Sequence, residues 1–381
     1  MNLVTGAMRR LTAASVTLAV VSWVLLAIRG EFQVGWLGGY EGALGTLFAV
    51  GLAGVALGWG AQRCDASGMS AVVLRAALAG AATVATLVAA EFGLRYAFRD
   101  VHSSADGRTF FAHRGGPSLR TNALGFRERE IGAKRSDHYR IAVVGDSFTW
   151  GQGIEERERF SDVIEASLGP SYEVLNFGIP GNNLSEHVQL LEQALKVSSD
   201  FVLFQLYIND FEMPEMIRPE AHALVPWPTL DYWLLRSSAL YDLLNDEWGQ
   251  LQEATGMVES YARYMERNLH DPASVNSRAA FGLLSKFIER ARAAGVPSGT
   301  VLFPNPGFLS KNYPFGYLHD RVRVVCAEQR ITCLDLRSSF ATAFRNPQSM
   351  WVSRFDPHPN ARANSRAAQE ILAAFRDAWH R

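Results

Sequence analysis

The 381-residue sequence lacks several features that would indicate common classes of function. It contains only three cysteines, and its cysteines and histidines do not stand at the spacing of metal ligands, so we expect neither a metal site nor a cofactor. The 37 Lys and Arg residues nearly balance the 38 Asp and Glu residues, which leaves a formal net charge of -1. Nucleic-acid-binding proteins usually carry a strongly basic face, so we exclude that class.

Apolar residues are concentrated before about residue 98, in three runs whose length is typical of membrane spans. The runs are Leu11 to Ile28, Trp36 to Ala61 and Ala71 to Ala90. The first run alone would also fit a cleaved signal peptide, but the two that follow favour a membrane region over 1–98 with about three transmembrane helices. Two spans, or a signal peptide followed by two spans, are the alternatives.

Basic residues in the short segments between these runs predict the orientation of the chain. Arg9 and Arg10 at the start, with Arg63 and Arg75 around the second loop, outnumber Arg29 in the first loop, so the amino terminus should be cytoplasmic. Three spans then place the large domain outside. Basic residues after the third run oppose this orientation, although long translocated domains contribute little to the rule. We therefore expect a multi-pass protein of the cytoplasmic membrane with an extracytoplasmic domain.

Cys326 and Cys333 lie close together in the predicted outer domain. A disulfide is permitted in that compartment. Two small buried thiols are the alternative.

A polar, irregular segment over 99–138 is typical of a linker, and after it short β-rich runs alternate with amphipathic stretches up to residue 381. The predicted strands are Tyr139 to Val144, Tyr172 to Phe177, Phe201 to Tyr207, Ser298 to Phe303 and Ile331 to Leu336. The predicted helices are Phe160 to Leu168, Leu184 to Val197, Arg278 to Ala294, Leu318 to Glu328 and Ala361 to Trp379. Strands that alternate with helices predict an α/β domain over 139–381, with a doubly wound parallel sheet.

Small or polar residues follow three successive predicted strands. Gly145-Asp146-Ser147 follows the first strand, 176–182 the second, and Asn209-Asp210 the third. In open α/β sheets, ligands bind outside the carboxyl ends of the strands. A Gly-Asp-Ser tripeptide alone arises by chance in about one of ten chains of this length, so the shared placement carries the inference.

A base for a serine nucleophile is offered by Asp356-Pro357-His358-Pro359. Each proline favours an extended conformation in the residue before it, so the side chains of Asp356 and His358 leave the backbone on the same side. The carboxylate can then bind one ring nitrogen while the other faces a hydroxyl. Without Ser147, a proline-rich lead-in to a helix with a surface histidine would be the better interpretation.

Four segments together resemble the sequence blocks of the SGNH, or GDSL-like, hydrolase superfamily, and the resemblance covers about Asn122 to Arg381. The segments are Gly145-Asp146-Ser147, Asn176 to Gly181, Tyr207 to Asp210 and Asp356-Pro357-His358. The resemblance implies a flavodoxin-like sheet and an enzyme that cleaves or transfers acyl groups. It also implies that Ser147 is the nucleophile, His358 the general base and Asp356 its orienting partner.

The same resemblance implies an oxyanion hole made by the backbone N–H groups of Ser147 and Gly181 and the side-chain amide of Asn209. Two positions depart from the family's pattern, because Tyr207 and Ala363 stand where glycine is common. Neither change removes a catalytic group. The bulky ring of Tyr207 would either narrow the site or face the core.

The region 211–278 is a long insertion relative to the bare fold and is predicted to be helical and rich in aromatic residues. A packed helical layer is the simplest interpretation. A lid over the site, or a surface that binds sugar rings or lies on a bilayer, is the alternative.

The expected function is therefore a serine-dependent ester hydrolase that acts outside the cytoplasmic membrane through an acyl-serine intermediate. The first alternative is an O-acyltransferase that modifies an exported or cell-surface polysaccharide, and a non-catalytic envelope scaffold comes third. The expected partners are an acyl-ester substrate, such as an acylated glycan or lipid, and the membrane through the N-terminal helices.

Overall fold

The computed structural model describes residues 69–97, 120–219, 221–310, 312–353 and 356–379. The first two predicted membrane spans, 11–28 and 36–61, and most of the predicted linker lie outside these residues. The third predicted span, 71–90, lies within helix α1, Met69–Ala97. Within the described part of the chain, α1 included, no helix is long and apolar enough to cross a membrane.

Five strands form a parallel sheet with the order β2-β1-β3-β4-β5. The strands are β1 (Tyr139–Gly145), β2 (Tyr172–Gly178), β3 (Phe201–Leu206), β4 (Ser298–Leu302) and β5 (Thr332–Asp335). Each predicted strand ends within one residue of the observed one. This strand order is the flavodoxin-like order that the resemblance implied.

Ten further helices follow α1 among the described residues. They are α2 (Ser147–Trp150), α3 (Phe160–Leu168), α4 (Leu184–Lys196), α5 (Pro228–Ser237), α6 (Ala239–Thr255), α7 (Tyr261–Leu269), α8 (Val275–Ala293), α9 (Gly316–Gln329), α10 (Arg337–Ala343) and α11 (Ala361–Phe375). The five predicted helices are present as α3, α4, α8, α9 and α11. The last helix ends earlier than predicted, because its final turn tightens into a 3₁₀ helix, Arg376–Trp379.

Helices cover both faces of the sheet, as alternation along β1 shows. Ile141 and Val143 pack in a cluster with side chains from α3, α10 and α11. Ala142 and Val144 pack in a second cluster with α4, α8 and α9. Successive residues of a strand point to opposite faces, so one buried strand contributes to both clusters. The sheet is therefore doubly wound, and both of its faces are buried.

The described residues fall into two compact units. One consists of 69–97 and 224–247, and the other contains the sheet and its helices. The insertion predicted over 211–278 contains α5, α6 and α7, and α5 with the first part of α6 belongs to the unit of α1.

Cys326 and Cys333 are both free thiols. Cys326 lies in the cluster that packs on α4, α8 and α9, and Cys333 packs against the same cluster. Of the two alternatives that the sequence left open, the structure has two apolar-packed thiols.

Candidate active site

Ser147 stands at the first turn of α2, directly after β1. Asp146 caps this short helix, since its carboxylate Oδ1 accepts a hydrogen bond of 2.9 Å from the backbone N–H of Phe148. Gly145 permits a close approach at the end of the strand, because an added Cβ would lie 2.2 Å from the side-chain oxygen of Gln205. The nucleophile turn is thus built where β1 ends, at the carboxyl edge of the sheet.

Gln205 on β3 fixes this turn from the neighbouring strand. Its side-chain oxygen accepts hydrogen bonds from the backbone N–H of Asp146 at 3.2 Å and of Thr149 at 3.2 Å. The hydroxyl of Thr149 donates a third, at 2.7 Å. Gln205 is fully buried, so these bonds form in a medium where they are strong. In the sequence, only the presence of one polar residue inside an apolar strand hints at this role.

The structure brings the side chains of Ser147, His358 and Asp356 together. The Nε2 atom of His358 lies 2.9 Å from the Oγ atom of Ser147, and its Nδ1 atom is hydrogen-bonded to the carboxylate of Asp356. The backbone N–H of His358 also donates to that carboxylate, at 3.1 Å. Asp356 is only 2% exposed. A hydroxyl, an imidazole and a buried carboxylate therefore lie in one hydrogen-bonded row.

A short antiparallel strand pair holds the segment that carries His358 in an extended conformation. The sequence did not predict this pair. Strand β7 (Asp356–Pro359) pairs antiparallel with β6 (Trp351–Ser353). After the hairpin, Asn360 caps α11 and its side-chain amide donates to the backbone oxygen of Trp351 at 3.0 Å. The two prolines and this pairing together place Asp356 and His358 on the same side of the strand.

Aromatic rings line the histidine on one side. The ring of Phe148 meets His358 edge-on with centroids 5.4 Å apart. The ring of Tyr207 stacks on that of Phe148 with centroids 4.2 Å apart. Tyr207 is half-buried while Phe148 is buried, so the bulky residue that replaces the family's glycine covers the ring next to the histidine.

The three predicted oxyanion donors stand after three neighbouring strands. Ser147 follows β1, Gly181 follows β2, and Asn209 lies in a 3₁₀ helix, Ile208–Phe211, after β3. Gly181 has a φ of 80° and open space where a Cβ would project, so it leaves room for a substrate. The side-chain oxygen of Asn209 is buried without a hydrogen-bond partner. The convergence of the three donors on one substrate oxygen stays a prediction.

A buried histidine–aspartate pair, which no sequence motif indicates, lies next to Asn209 in the chain. His187 on α4 and Asp210 are both fully buried, with Nε2 and Oδ1 2.9 Å apart. Burial lowers the pKa of His187 to about 4, and burial raises the pKa of Asp210 well above its usual range. His187 is therefore uncharged at neutral pH, and burial favours the protonated form of Asp210. The second carboxyl oxygen of Asp210 accepts from the backbone N–H of Tyr207 at 2.6 Å, which fixes the segment that carries Asn209.

Asp146 is a third buried acid at this edge of the sheet. Burial, with a contribution from the nearby Asp210, raises the pKa of Asp146 to about 7. Its Oδ2 atom lies 3.5 Å from the Oγ atom of Ser147, at the limit of a hydrogen bond. Among the described residues, no group of three or more His, Cys, Asp or Glu side chains is placed to hold a metal ion.

The segment before β1 supports the loop after the nucleophile. Arg127 is fully buried and donates to the backbone oxygens of Gly151 at 2.6 Å and Ile154 at 2.7 Å. Arg159 in turn donates to the backbone oxygen of Arg127. The lead-in 122–127, which the resemblance included, is thus part of the hydrolase unit.

Comparisons with solved structures return only distant similarities. Among curated proteins, none matches the chain. A lipolytic protein of the G-D-S-L family from Veillonella parvula is 14% identical, with a TM-score of 0.38 over 62% of this chain and 98% of that chain. The structure of TesA is 16% identical, with a TM-score of 0.39 over 62% and 98%. A catalytic mutant of an acetylxylan esterase from Geobacillus stearothermophilus is 15% identical, with a TM-score of 0.38 over 65% and 99%.

These identities and TM-scores are too low to indicate a substrate. The family model is more informative, because the GDSL-like lipase/acylhydrolase model matches residues 143–366, which is more than half of the chain. That range contains Ser147 with its strand and extends past His358 into α11. The chain therefore belongs to the GDSL-like lipase/acylhydrolase family and is an enzyme of the SGNH hydrolase type.

Proposed function

We propose that this enzyme is a serine esterase that cleaves acyl esters through an acyl-serine intermediate on Ser147. The observation that carries the proposal is the hydrogen-bonded triad of Ser147, His358 and Asp356. The hydroxyl of Ser147 lies 2.9 Å from Nε2 of His358, and the buried carboxylate of Asp356 is hydrogen-bonded to Nδ1. A non-catalytic scaffold would not require this triad.

The reaction proceeds in two halves. In the first, Nε2 of His358 takes the proton of Ser147 as Oγ attacks the ester carbonyl carbon, and the carbonyl oxygen becomes negative. The tetrahedral species then expels the alcohol, which takes the proton from Nε2, and the acyl group stays on Oγ. In the second half, water loses a proton to Nε2, attacks the acyl-serine and releases the carboxylic acid, and the proton returns to Ser147.

Asp356 and the oxyanion donors lower the barrier in different ways. Asp356 holds the ring of His358 with Nε2 free to accept a proton, and it stabilises the imidazolium that forms. The N–H groups of Ser147 and Gly181 and the amide of Asn209 stabilise the negative oxygen, and one such donor is worth about 3 to 4 kcal/mol.

An O-acyltransferase would use the same residues and differ only in the acceptor. The hydroxyl of a glycan would then replace water in the second half of the reaction. We place esterase first because the path through water requires no further binding site.

We further propose that the N-terminal region anchors the enzyme in the cytoplasmic membrane. Support comes from the apolar runs 11–28 and 36–61. With Arg9 and Arg10 on the cytoplasmic side, the three spans that the sequence predicts would place the hydrolase unit outside, and two spans would place it inside. Cell fractionation tests the anchor, and the proposal requires recovery of the enzyme in the membrane fraction. Protease treatment of spheroplasts then decides on which side the hydrolase unit lies.

The chemistry is tested with the full chain in detergent, a chromogenic aryl acetate and a fluorophosphonate probe. We expect turnover, and a probe adduct on the peptide that contains Ser147. Ser147→Ala should lose both. Ser167→Ala is the matched control, because Ser167 is an exposed serine on α3 that donates only to a backbone oxygen. Turnover by Ser147→Ala would contradict the proposal, and an added glycan that captures the acyl group would favour the transferase.

A further inference from the structure

In the unit formed by 69–97 and 224–247, Glu91 and Arg95 of α1 form hydrogen bonds with the segment between α5 and α6. They are the only two charged residues in the second half of α1. The carboxylate of Glu91 accepts hydrogen bonds from the hydroxyl of Ser238 at 2.8 Å and from the backbone N–H groups of Ala239 and Leu240, both at 3.0 Å. These groups stand at the start of α6, where the helix dipole favours a negative charge.

Arg95 makes the complementary contact at the end of α5. Its guanidinium donates to the backbone oxygen of Ser237 at 2.6 Å, where a helix C-terminus favours a positive charge. Arg95 and Glu91 also pair with each other. The two charged side chains in the second half of α1 therefore contact the junction between α5 and α6. The other residues in this half of α1 carry no charge.

The unit exposes many large apolar side chains. Among the described residues, 17 large apolar side chains are exposed; five lie on α1 and six in 224–247. Those on α1 recur at helical spacing, while Ala90 and Leu94 on the same helix are buried. The exposed side chains are Val84, Leu87, Val88, Phe92, Tyr96, Leu224, Trp227, Leu230, Tyr232, Trp233 and Leu244. We call this set the aromatic face.

The chain that precedes α1 indicates what covers the aromatic face. The apolar run 36–61 ends only seven residues before Met69, and seven linking residues span at most roughly 28 Å. A unit tied this closely to a membrane-inserted run stays at the bilayer surface. The composition of the face fits that place, because Trp and Tyr collect at the boundary between lipid headgroups and acyl chains.

We propose that the aromatic face lies in the interfacial layer of a lipid bilayer, with Trp227 and Trp233 at the depth of the headgroups. The two side chains are 66% and 61% exposed, which leaves their rings free to enter the lipid. Arg236 lies over the ring of Tyr232 at 5.3 Å and donates to its hydroxyl at 2.9 Å, which holds this ring at the surface of the unit. This inference extends the proposed membrane anchor and is independent of the chemistry at Ser147.

Tryptophan emission from the full chain in liposomes tests the proposal. Emission from Trp227 and Trp233 is obtained as the difference between the wild type and the double variant Trp227→Phe/Trp233→Phe. Phosphatidylcholine with brominated acyl chains quenches only indoles that contact lipid, so we expect about a twofold or larger loss of this difference emission. Trp351→Phe is the control, because Trp351 is half-buried and belongs to the other unit.

Three results would overturn the proposal: an unquenched difference emission, equal quenching at Trp351, or a dimer in detergent that Trp227→Glu/Trp233→Glu dissociates. The last result would assign the face to a second copy of this chain. Flotation of the wild type with liposomes reports separately on the anchor, and probe labelling of Ser147 reports on the chemistry. Failure of the aromatic face can therefore be told apart from failure of the proposed function.

Discussion

The raised pKa of Asp146 predicts a pH-dependent change in the free energy of unfolding, and the structure sets its magnitude. The fully buried carboxyl has its pKa raised from 3.8 to about 7, so the folded chain holds this proton more tightly than the unfolded chain does. The stabilisation from the protonated carboxyl is fully present below about pH 4, declines as the pH rises, and is lost above about pH 7. Three pKa units correspond to about 4 kcal/mol, which is the upper limit of the effect.

Asp146→Asn replaces the carboxyl by a neutral group of the same shape, whose oxygen can still accept from the backbone N–H of Phe148. We therefore expect the variant to exceed the wild type in unfolding free energy at pH 8, by up to about 4 kcal/mol, and to show little advantage at pH 4. The assay is urea unfolding of the full chain, followed by intrinsic fluorescence at several pH values.

A matched control separates this effect from the general loss of a carboxylate. Asp320→Asn removes an exposed carboxylate that pairs with Arg323, and surface changes of this kind alter stability by about 0.5 kcal/mol or less. A difference between Asp146→Asn and the wild type that does not change with pH would refute the reasoning, and so would a variant that is less stable at pH 8.

Three predictions concern turnover. Asp356→Asn should lower kcat by about three to four orders of magnitude while the fold is kept, because the amide favours the wrong tautomer of His358. A loss of kcat below tenfold in steady-state kinetics would contradict this role. Asn209→Ala should lower kcat about 10²- to 10³-fold with little change in KM, and a loss confined to KM would make Asn209 a binding group instead. Tyr207→Ala removes the ring that stacks on Phe148. We expect the ratio of kcat/KM for a hexanoyl ester to kcat/KM for an acetyl ester to rise about tenfold, and an unchanged ratio would show that Tyr207 does not limit acyl size.

The sheet could be predicted closely because its strands are buried on both faces and appear as short apolar runs bounded by turns. The run from Phe201 shows this, since the predicted and observed ends differ by one residue. The helix from Ala361 was predicted too long, because Phe375 and Trp379 continue its apolar spacing although the last turn is 3₁₀. Periodicity does not distinguish these two kinds of turn.

The site was predictable in part. Ser147, Asp356 and His358 could be proposed as site residues because small residues and prolines leave local signals at a strand end and before a helix. The hairpin behind His358 could not, since strands of three and four residues that contain two prolines carry no period. Gln205 and His187 act across strands and helices, so their roles depend on three-dimensional neighbours that the linear pattern does not contain.

The most direct test of the account is to trap the acyl group on the enzyme. The full chain is mixed with an isotope-labelled acyl ester, quenched in acid within milliseconds, digested and analysed by mass spectrometry. We predict that the label lies on Ser147, and that His358→Ala, which removes the base 2.9 Å from the hydroxyl, abolishes its formation. Label on a different residue, or ester turnover in which Ser147 never carries the acyl group, would contradict the central claim.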